Sequence, residues 1–161
     1  MSSTLIKKQL VAALQGGQAH LGLDDAVANF PSKYFNQLIP GGTYTPWHLL
    51  EHIRITQRDI LDYITSDHYH ELSWPHDYWP DLKSQTQPRH WQHTIDQIHA
   101  DTQTLIDLIN SPDTNVTSPL SPGSPHNLLR EVLLIVAHTG YHLGEFAILR
   151  QVMHTWSPNH L

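Results

Sequence analysis

Apolar residues recur along this chain at intervals of three and four, and strict alternation of apolar with polar residues is scarce. The first such segment covers residues 4–14, and Gly16 and Gly17 follow it as a stop signal. A short second segment covers residues 23–30 and stops at Pro31. Spacing of this kind is typical of amphipathic helices, so the chain is predicted to be all-α.

Three longer helices are predicted from their start signals. Thr45 is a suitable N-cap in front of Pro46, and helical periodicity then continues to about residue 65. Pro88 opens a helix that reaches about residue 110. The Ser-Pro pair at 124–125 repeats the arrangement at Thr45 and Pro46, so the last helix is predicted to begin there and to end near residue 153.

Long connections separate the second main helix from the third and the third from the last. Residues 66–88 are rich in proline and aromatic residues, and residues 110–125 are rich in proline and serine. Connections of this length exceed those of simple helical hairpins. We therefore predict a four-helix bundle with a long crossover between main helices two and three, forming one domain over residues 1–161. Within the crossover, WPHDYWP (74–80) is interpreted as an aromatic plug, with a lid over a metal as the alternative.

Composition excludes several functions. The chain has 161 residues and no cysteine, which rules out disulfides, thiolate zinc sites and cysteine nucleophiles. The formal net charge is −6, and the nine lysines and arginines are scattered, so no basic stripe exists to bind nucleic acid. No run approaches the roughly 18 apolar residues of a membrane span, and the N-terminus does not resemble a signal peptide. We expect a cytoplasmic protein that binds neither nucleic acid nor membranes.

Histidine is the unusual residue, with 14 copies. The last helix is apolar almost all round and should be buried, yet a winding of about 100° per residue places four polar residues on one stripe of it. They are Glu131, His138, His142 and Glu145. Buried polar groups need partners, and imidazoles one turn apart can converge on one metal ion. The alternative is a pair of core histidines that are hydrogen-bonded to neighbouring helices.

The second main helix offers a third ligand. His52 lies in its middle, on a polar stripe that borders the apolar face formed by Leu49, Ile53, Ile60 and Ile64. His48 lies one turn nearer the helix start and is expected to be solvated. His52, His138 and His142 would form a facial nitrogen set that suits zinc, nickel, iron or cobalt and leaves positions open for water or substrate.

Other polar residues receive lesser roles. Glu145 is seven residues from His138, about 10.5 Å along the helix axis, so it is expected to support a ligand by hydrogen bonding or to form a salt bridge. The histidines of the third main helix, His90, His93 and His99, lie among Gln, Asp and Thr and are expected to be solvated.

Two segments carry a resemblance to a known family. PWHLLEHIRITQRDIL and AHTGYHLGEFAILRQ resemble the second-helix and final-helix segments of the DinB/YfiT-like superfamily of metal-dependent four-helix-bundle proteins. The resemblance implies His52, His138 and His142 as metal ligands, an unusual crossover and a homodimer. A register change of one turn would exchange His48 for His52. Related branches include transferases that use bacillithiol or mycothiol and a maleylpyruvate isomerase, in which a metal would lower the pKa of a thiol.

Three functions compete at this point. The first is a metal-dependent enzyme with an open three-histidine site and a divalent ion such as zinc, nickel or iron, acting as a thiol-dependent transferase or a hydrolase. The second is a non-catalytic metal-binding stress-response bundle. The third is a purely structural bundle. No catalytic base is identified, and Asp59, Tyr63 and Glu145 are the nearest candidates by helical winding.

Overall fold

The computed structural model describes residues 2–157, and within that part of the chain all regular structure is helical. The helices are α1 (Ser2–Gln15), α2 (Leu23–Val27), α3 (Pro46–Thr65), α4 (Pro88–Asn110) and α5 (Leu128–Val152). Single 3-10 turns cover Ser32–Tyr34 and His76–Tyr78. The all-α prediction is confirmed, and the four main helices are α1, α3, α4 and α5.

The direction of the helices explains the long crossover. Thr94 donates a hydrogen bond to Glu51, and further along both helices Gln57 donates to the carbonyl of Ile98, so α3 and α4 run parallel. Parallel neighbours cannot be joined by a tight turn, because the chain must first return along the length of the bundle. Residues 66–87 make that return, and the predicted crossover is confirmed.

α3 and α5 run antiparallel. The Tyr63 hydroxyl, near the end of α3, lies 2.9 Å from Nδ1 of His126, which precedes α5. His52, earlier in α3, contacts His142, which lies further along α5. α1 packs on α4 and α5, and these same two helices pack on α3. The order around the bundle is therefore α1, α4, α3, α5, and the connection 111–127 crosses one end of it.

The largest core cluster lies between the first half of α3 and the second half of α5. Leu49 and Ile53 of α3 and Leu143 and Phe146 of α5 are buried there with an aromatic group from other segments. In that group Phe35 stacks on Trp91 with ring centroids 4.0 Å apart. Burial of these apolar faces fixes the rotation of both helices, and thereby the direction of the polar stripes that border them.

Helix starts agree with the sequence at α3 and differ at α5. Thr45 caps α3 in front of Pro46, as predicted. α5 begins at Leu128, and the Asn127 side chain accepts the Arg130 N–H at 2.9 Å as its cap. The Ser124 hydroxyl instead accepts the His126 N–H within the preceding turn, so the predicted start at 124–125 is wrong by three residues.

By length and composition alone, α5 is the one helix among residues 2–157 that could cross a membrane. Core helices of soluble proteins share these properties. Glu131 and Arg150, both buried, lie near opposite ends of α5, and the helix packs against α1 and α3. These features are those of a bundle helix.

Candidate metal centre

Three imidazoles meet between α3 and α5. Nε2 of His52 lies 3.1 Å from Nε2 of His142 and 3.1 Å from Nε2 of His138. His52 and His142 are buried, and His138 is partly buried. One nitrogen of each ring lies within 4.8 Å of the others. The structure thus brings together the three side chains that the sequence singled out, while their role as ligands stays a prediction.

The inner nitrogen of His52 is a hydrogen-bond acceptor because its outer nitrogen is a donor. Nδ1 lies 2.7 Å from the carbonyl oxygen of Tyr78 in the crossover. A carbonyl can only accept a hydrogen bond, so Nδ1 carries the proton, and the neutral ring presents a lone pair at Nε2.

The same assignment holds for His142. Its Nδ1 lies 2.8 Å from Oε2 of Glu145, one turn further along α5. An ionised carboxylate accepts the Nδ1 proton and leaves Nε2 with a lone pair. Glu145 is therefore a hydrogen-bonding partner of His142, as its position in the sequence predicted.

Two lone pairs face each other across 3.1 Å between His52 and His142, and they cannot form a hydrogen bond with each other. A cation between the rings resolves this conflict. Metal–nitrogen bonds of about 2.0–2.1 Å give nitrogen–nitrogen separations of about 3.3–3.4 Å at a tetrahedral angle and about 2.9 Å at a right angle. The observed 3.1 Å separations to His142 and His138 lie within this range, so the residues present fit a metal ion.

Protonation of the rings is disfavoured. Burial, together with a smaller effect of the neighbouring imidazoles, lowers the pKa of His138 to about 4 and that of His142 to about 3. Burial also lowers the pKa of His52, partly offset by the hydrogen bond to the Tyr78 carbonyl. Neutral imidazole is the form that binds a metal, so near neutral pH all three rings are ready for one.

The crossover forms one wall of the site. The Trp79 ring stacks on His52 with centroids 3.9 Å apart and planes 3° apart. Tyr78, which supplies the carbonyl, donates its hydroxyl to Asp59 at 2.7 Å, and Tyr69 donates to the other oxygen of that carboxylate at 3.0 Å. The aromatic segment 74–80 thus both pins the crossover and orients a histidine of the cluster.

Two further side chains stand near the cluster. Tyr141, largely exposed, places its ring 4.8 Å from that of His142. Thr56 lies one turn after His52 on α3, and its buried hydroxyl makes no hydrogen bond within residues 2–157. An unpartnered buried hydroxyl on this stripe is available to a ligand that reaches it.

His48 corrects the expectation of a solvated side chain. It is 1% exposed, and its Nδ1 accepts the backbone N–H of Thr45 at 3.3 Å. Its Nε2 donates to the carbonyl of Ser84 at 3.2 Å. Both nitrogens are thus engaged by backbone groups, which separates His48 from the three-histidine cluster.

The other candidates fall outside the cluster. His90, His93 and His99 are exposed, as predicted, and His99 pairs with Asp24 at 2.9 Å. Tyr63 contacts His126 near the far end of α3. The partners missed from the sequence are Trp79 and the Tyr78 carbonyl. The YWP triplet was the only signal for them, since a backbone acceptor carries no residue signature.

Comparisons with known proteins agree with this architecture. The model of the DinB superfamily matches residues 9–146, a span that runs from α1 into α5 and includes all three clustered histidines. No curated protein and no solved structure matches the chain significantly.

Proposed function

The chain belongs to the DinB superfamily, and we propose that it binds one divalent ion of zinc, nickel or iron through His52, His138 and His142. The pair of facing lone pairs 3.1 Å apart carries this proposal, because two neutral acceptors in contact need a cation. Three protein nitrogens leave one or more coordination positions for another ligand.

We propose further that the site is catalytic and that the protein is a thiol-dependent transferase or a hydrolase. A metal ion in such a site lowers the pKa of a bound thiol or water and supplies a nucleophile near neutral pH. Glu145 and the Tyr78 carbonyl hold two of the imidazoles in the required tautomer. Trp79 and Tyr141 offer aromatic surfaces to the body of a substrate.

The partners in this proposal are a small-molecule substrate or a low-molecular-weight thiol in the cytoplasm, and a second copy of the chain. The alternative is a non-catalytic metal-binding stress-response bundle. The burial of His52 and His142 supports this alternative, because buried ligands would retain an ion whether or not a reaction takes place at it.

Metal content tests the binding proposal. Protein purified without a histidine tag should contain about one transition-metal ion per chain by elemental analysis, and His142→Ala should lose it. His90→Ala is the matched control, since His90 is an exposed histidine of α4. Full metal content in a folded His142→Ala variant would overturn the proposal.

Turnover separates the enzyme from the binder. The metal-loaded protein should accelerate formation of a carbon–sulfur bond between an alkylating electrophile and bacillithiol, mycothiol or another small thiol, with loss of the thiol proton and of the electrophile's leaving group, or it should accelerate the hydrolysis of an activated ester. The rate should disappear in His138→Ala and after chelation. A protein that holds its ion stoichiometrically yet gives no metal-dependent rate with any of these substrates would support the non-catalytic alternative.

A further inference from the structure

A cavity lies beside α5, on a face of the helix about 100° around its axis from the histidine cluster. Its volume is about 520 Å³, and it is enclosed by the end of α1, the loop 16–22, α2 and α4. Thr139 and Leu143 line it, although each follows directly after a clustered histidine in the sequence. Consecutive helical residues point about 100° apart, so the two sites share a helix without sharing a surface.

Two carboxylates and two histidines, Asp24, Asp25, His20 and His99, line this cavity. Asp24 pairs with His99 at 2.9 Å, so Asp25 is the lining carboxylate that has no ion pair within residues 2–157, and neither lysine nor arginine lines the cavity. The last turn of α1, residues 13–15, also faces it, and that turn contains no basic side chain. The C-terminal carbonyls of a helix form the negative end of its dipole. Both features favour a cation and disfavour an anion.

The side chain of a largely buried glutamine lines the cavity. Gln57 is 3% exposed, and its Nε2 donates to the Ile98 carbonyl at 3.0 Å and to the Thr102 hydroxyl at 2.9 Å. These two acceptors fix the orientation of the amide, so Oε1 is the atom left for the cavity. Within residues 2–157 no protein donor reaches Oε1, and this oxygen is open to the cavity, where a ligand can donate a hydrogen bond to it.

The loop 16–22 closes over the cavity because α5 has a glycine beneath it. Nε2 of His20 lies 3.1 Å from the position that a Cβ atom on Gly140 would occupy. Gly16 and Gly17 adopt φ angles of 69° and 71°, which let the chain turn back from α1. Gly140 thus leaves room for the loop on α5, and Gly16 and Gly17 let the loop turn back from α1.

We propose that this cavity binds a small aliphatic amine that carries a second hydrogen-bond donor. The ammonium group lies between Asp25 and the end of α1, the hydrocarbon chain packs on Ile98, Ile106 and Ile135, and the second donor bonds Oε1 of Gln57. The volume lies within the range of about 300–1,000 Å³ that is typical of small-molecule sites. The proposal does not depend on metal binding.

Matched probes of one chain length test the ligand class. 6-Amino-1-hexanol, 1,6-hexanediol and 6-hydroxyhexanoate carry a positive charge, no charge and a negative charge on the same skeleton. The full chain should bind the amino alcohol saturably, with amide shifts at Gly16 and Gly17 and at the Gln57 side chain in NMR titrations. The diol should bind at least about fivefold more weakly, and the carboxylate should not saturate.

Asp25→Asn provides the test within the protein. Asp25 is exposed, so the change removes a charge without disturbing packing, and it should weaken binding of the amino alcohol by about fivefold. Asp113→Asn, an exposed aspartate in the connection 111–127, is the control and should bind like the unaltered chain. The proposal is overturned if no probe saturates, if the carboxylate binds as well as the amine, or if Asp25→Asn has no effect.

Discussion

At His52 and His142 the nitrogen that points away from the cluster donates a hydrogen bond, to the Tyr78 carbonyl and to the Glu145 carboxylate. Each of these hydrogen bonds fixes the tautomer and the orientation of its ring in the metal-free protein. The Glu145 carboxylate should affect its imidazole more than the Tyr78 carbonyl affects His52. The negative charge of the carboxylate makes Nε2 of His142 a better electron donor. The affinity of the proposed metal site should thus depend partly on residues that are not ligands.

Replacement of Glu145 by glutamine should weaken metal binding by about 10–100-fold, since the amide retains an acceptor oxygen but loses the charge. Competition against a chromophoric chelator measures this affinity. Glu71→Gln, at an exposed glutamate of the crossover, is the control and should leave the affinity unchanged. Equal metal affinities in both variants would show that the charge of Glu145 does not strengthen metal binding.

The buried histidines should make the metal-free protein sensitive to acid. Folded pKa values of about 4 for His138 and about 3 for His142 lie below the ordinary 6.5. Between these limits the unfolded chain binds protons that the folded chain does not, so stability falls as the pH drops below about 6.5. With chelator present, Tm should decrease from pH 6.5 to 4 less steeply in His142→Ala than in the unaltered protein. Parallel profiles would contradict this account.

The ring of His48 joins the start of α3 to the crossover. Thr45 accepts the His48 N–H, and the His48 ring reaches from that turn to the Ser84 carbonyl in the crossover. The buried His48 therefore stabilises the junction. The sequence predicts a solvated side chain instead, because the partner of His48 is a backbone atom distant in the chain. Its position near a helix start gave no sign of this contact.

His48→Ala and His52→Ala form a matched pair one turn apart on the same helix. His48→Ala should reduce the free energy of unfolding by about 2 kcal/mol, since it leaves the Thr45 N–H and the Ser84 carbonyl without their partner, and it should retain metal. His52→Ala should lose the metal. Urea titrations and elemental analysis measure the two effects. Loss of metal from a folded His48→Ala variant would assign this residue to the site.

The crossover is held by the Asp59 carboxylate, which accepts from Tyr78 and Tyr69. Tyr78→Phe should weaken metal affinity by about tenfold, because the carbonyl that orients His52 belongs to the same residue. Tyr69→Phe breaks the other hydrogen bond to the same carboxylate and should change the affinity less. Isothermal titration with zinc compares them, and a larger effect of Tyr69→Phe would show that Tyr78 does not position His52.

Helical periodicity and start signals were sufficient to predict the main helices and the three clustered histidines, because burial of an apolar face also fixes where the adjoining polar stripe points. The start signals gave the wrong first residue for α5, where two nearby side chains could each have capped the helix. Ser124 bonds within its turn, and Asn127 caps α5 instead. The cavity above Gly140 could not be predicted, since it arises from the way a loop packs on a distant helix.

The face of α5 next to the histidines carries exposed apolar side chains. Leu134, Tyr141, Ile148 and Val152 are exposed there at helical spacing, and Ala137 and Gly144 lie between them. A continuous apolar stripe of this kind is typical of an interaction surface. The family resemblance implies a homodimer, and this stripe, with small residues that permit close approach, is where we expect the second copy.

Sedimentation velocity tests this expectation. The unaltered protein should sediment as a dimer, and Ile148→Glu should sediment as a monomer, because the change buries a charge in the contact. Leu82→Glu, at an exposed leucine of the crossover, is the control and should remain dimeric. Tyr141 belongs both to the stripe and to the surroundings of His142, so dissociation should also alter metal affinity. A monomeric unaltered protein, or a dimeric Ile148→Glu variant, would contradict an α5 interface.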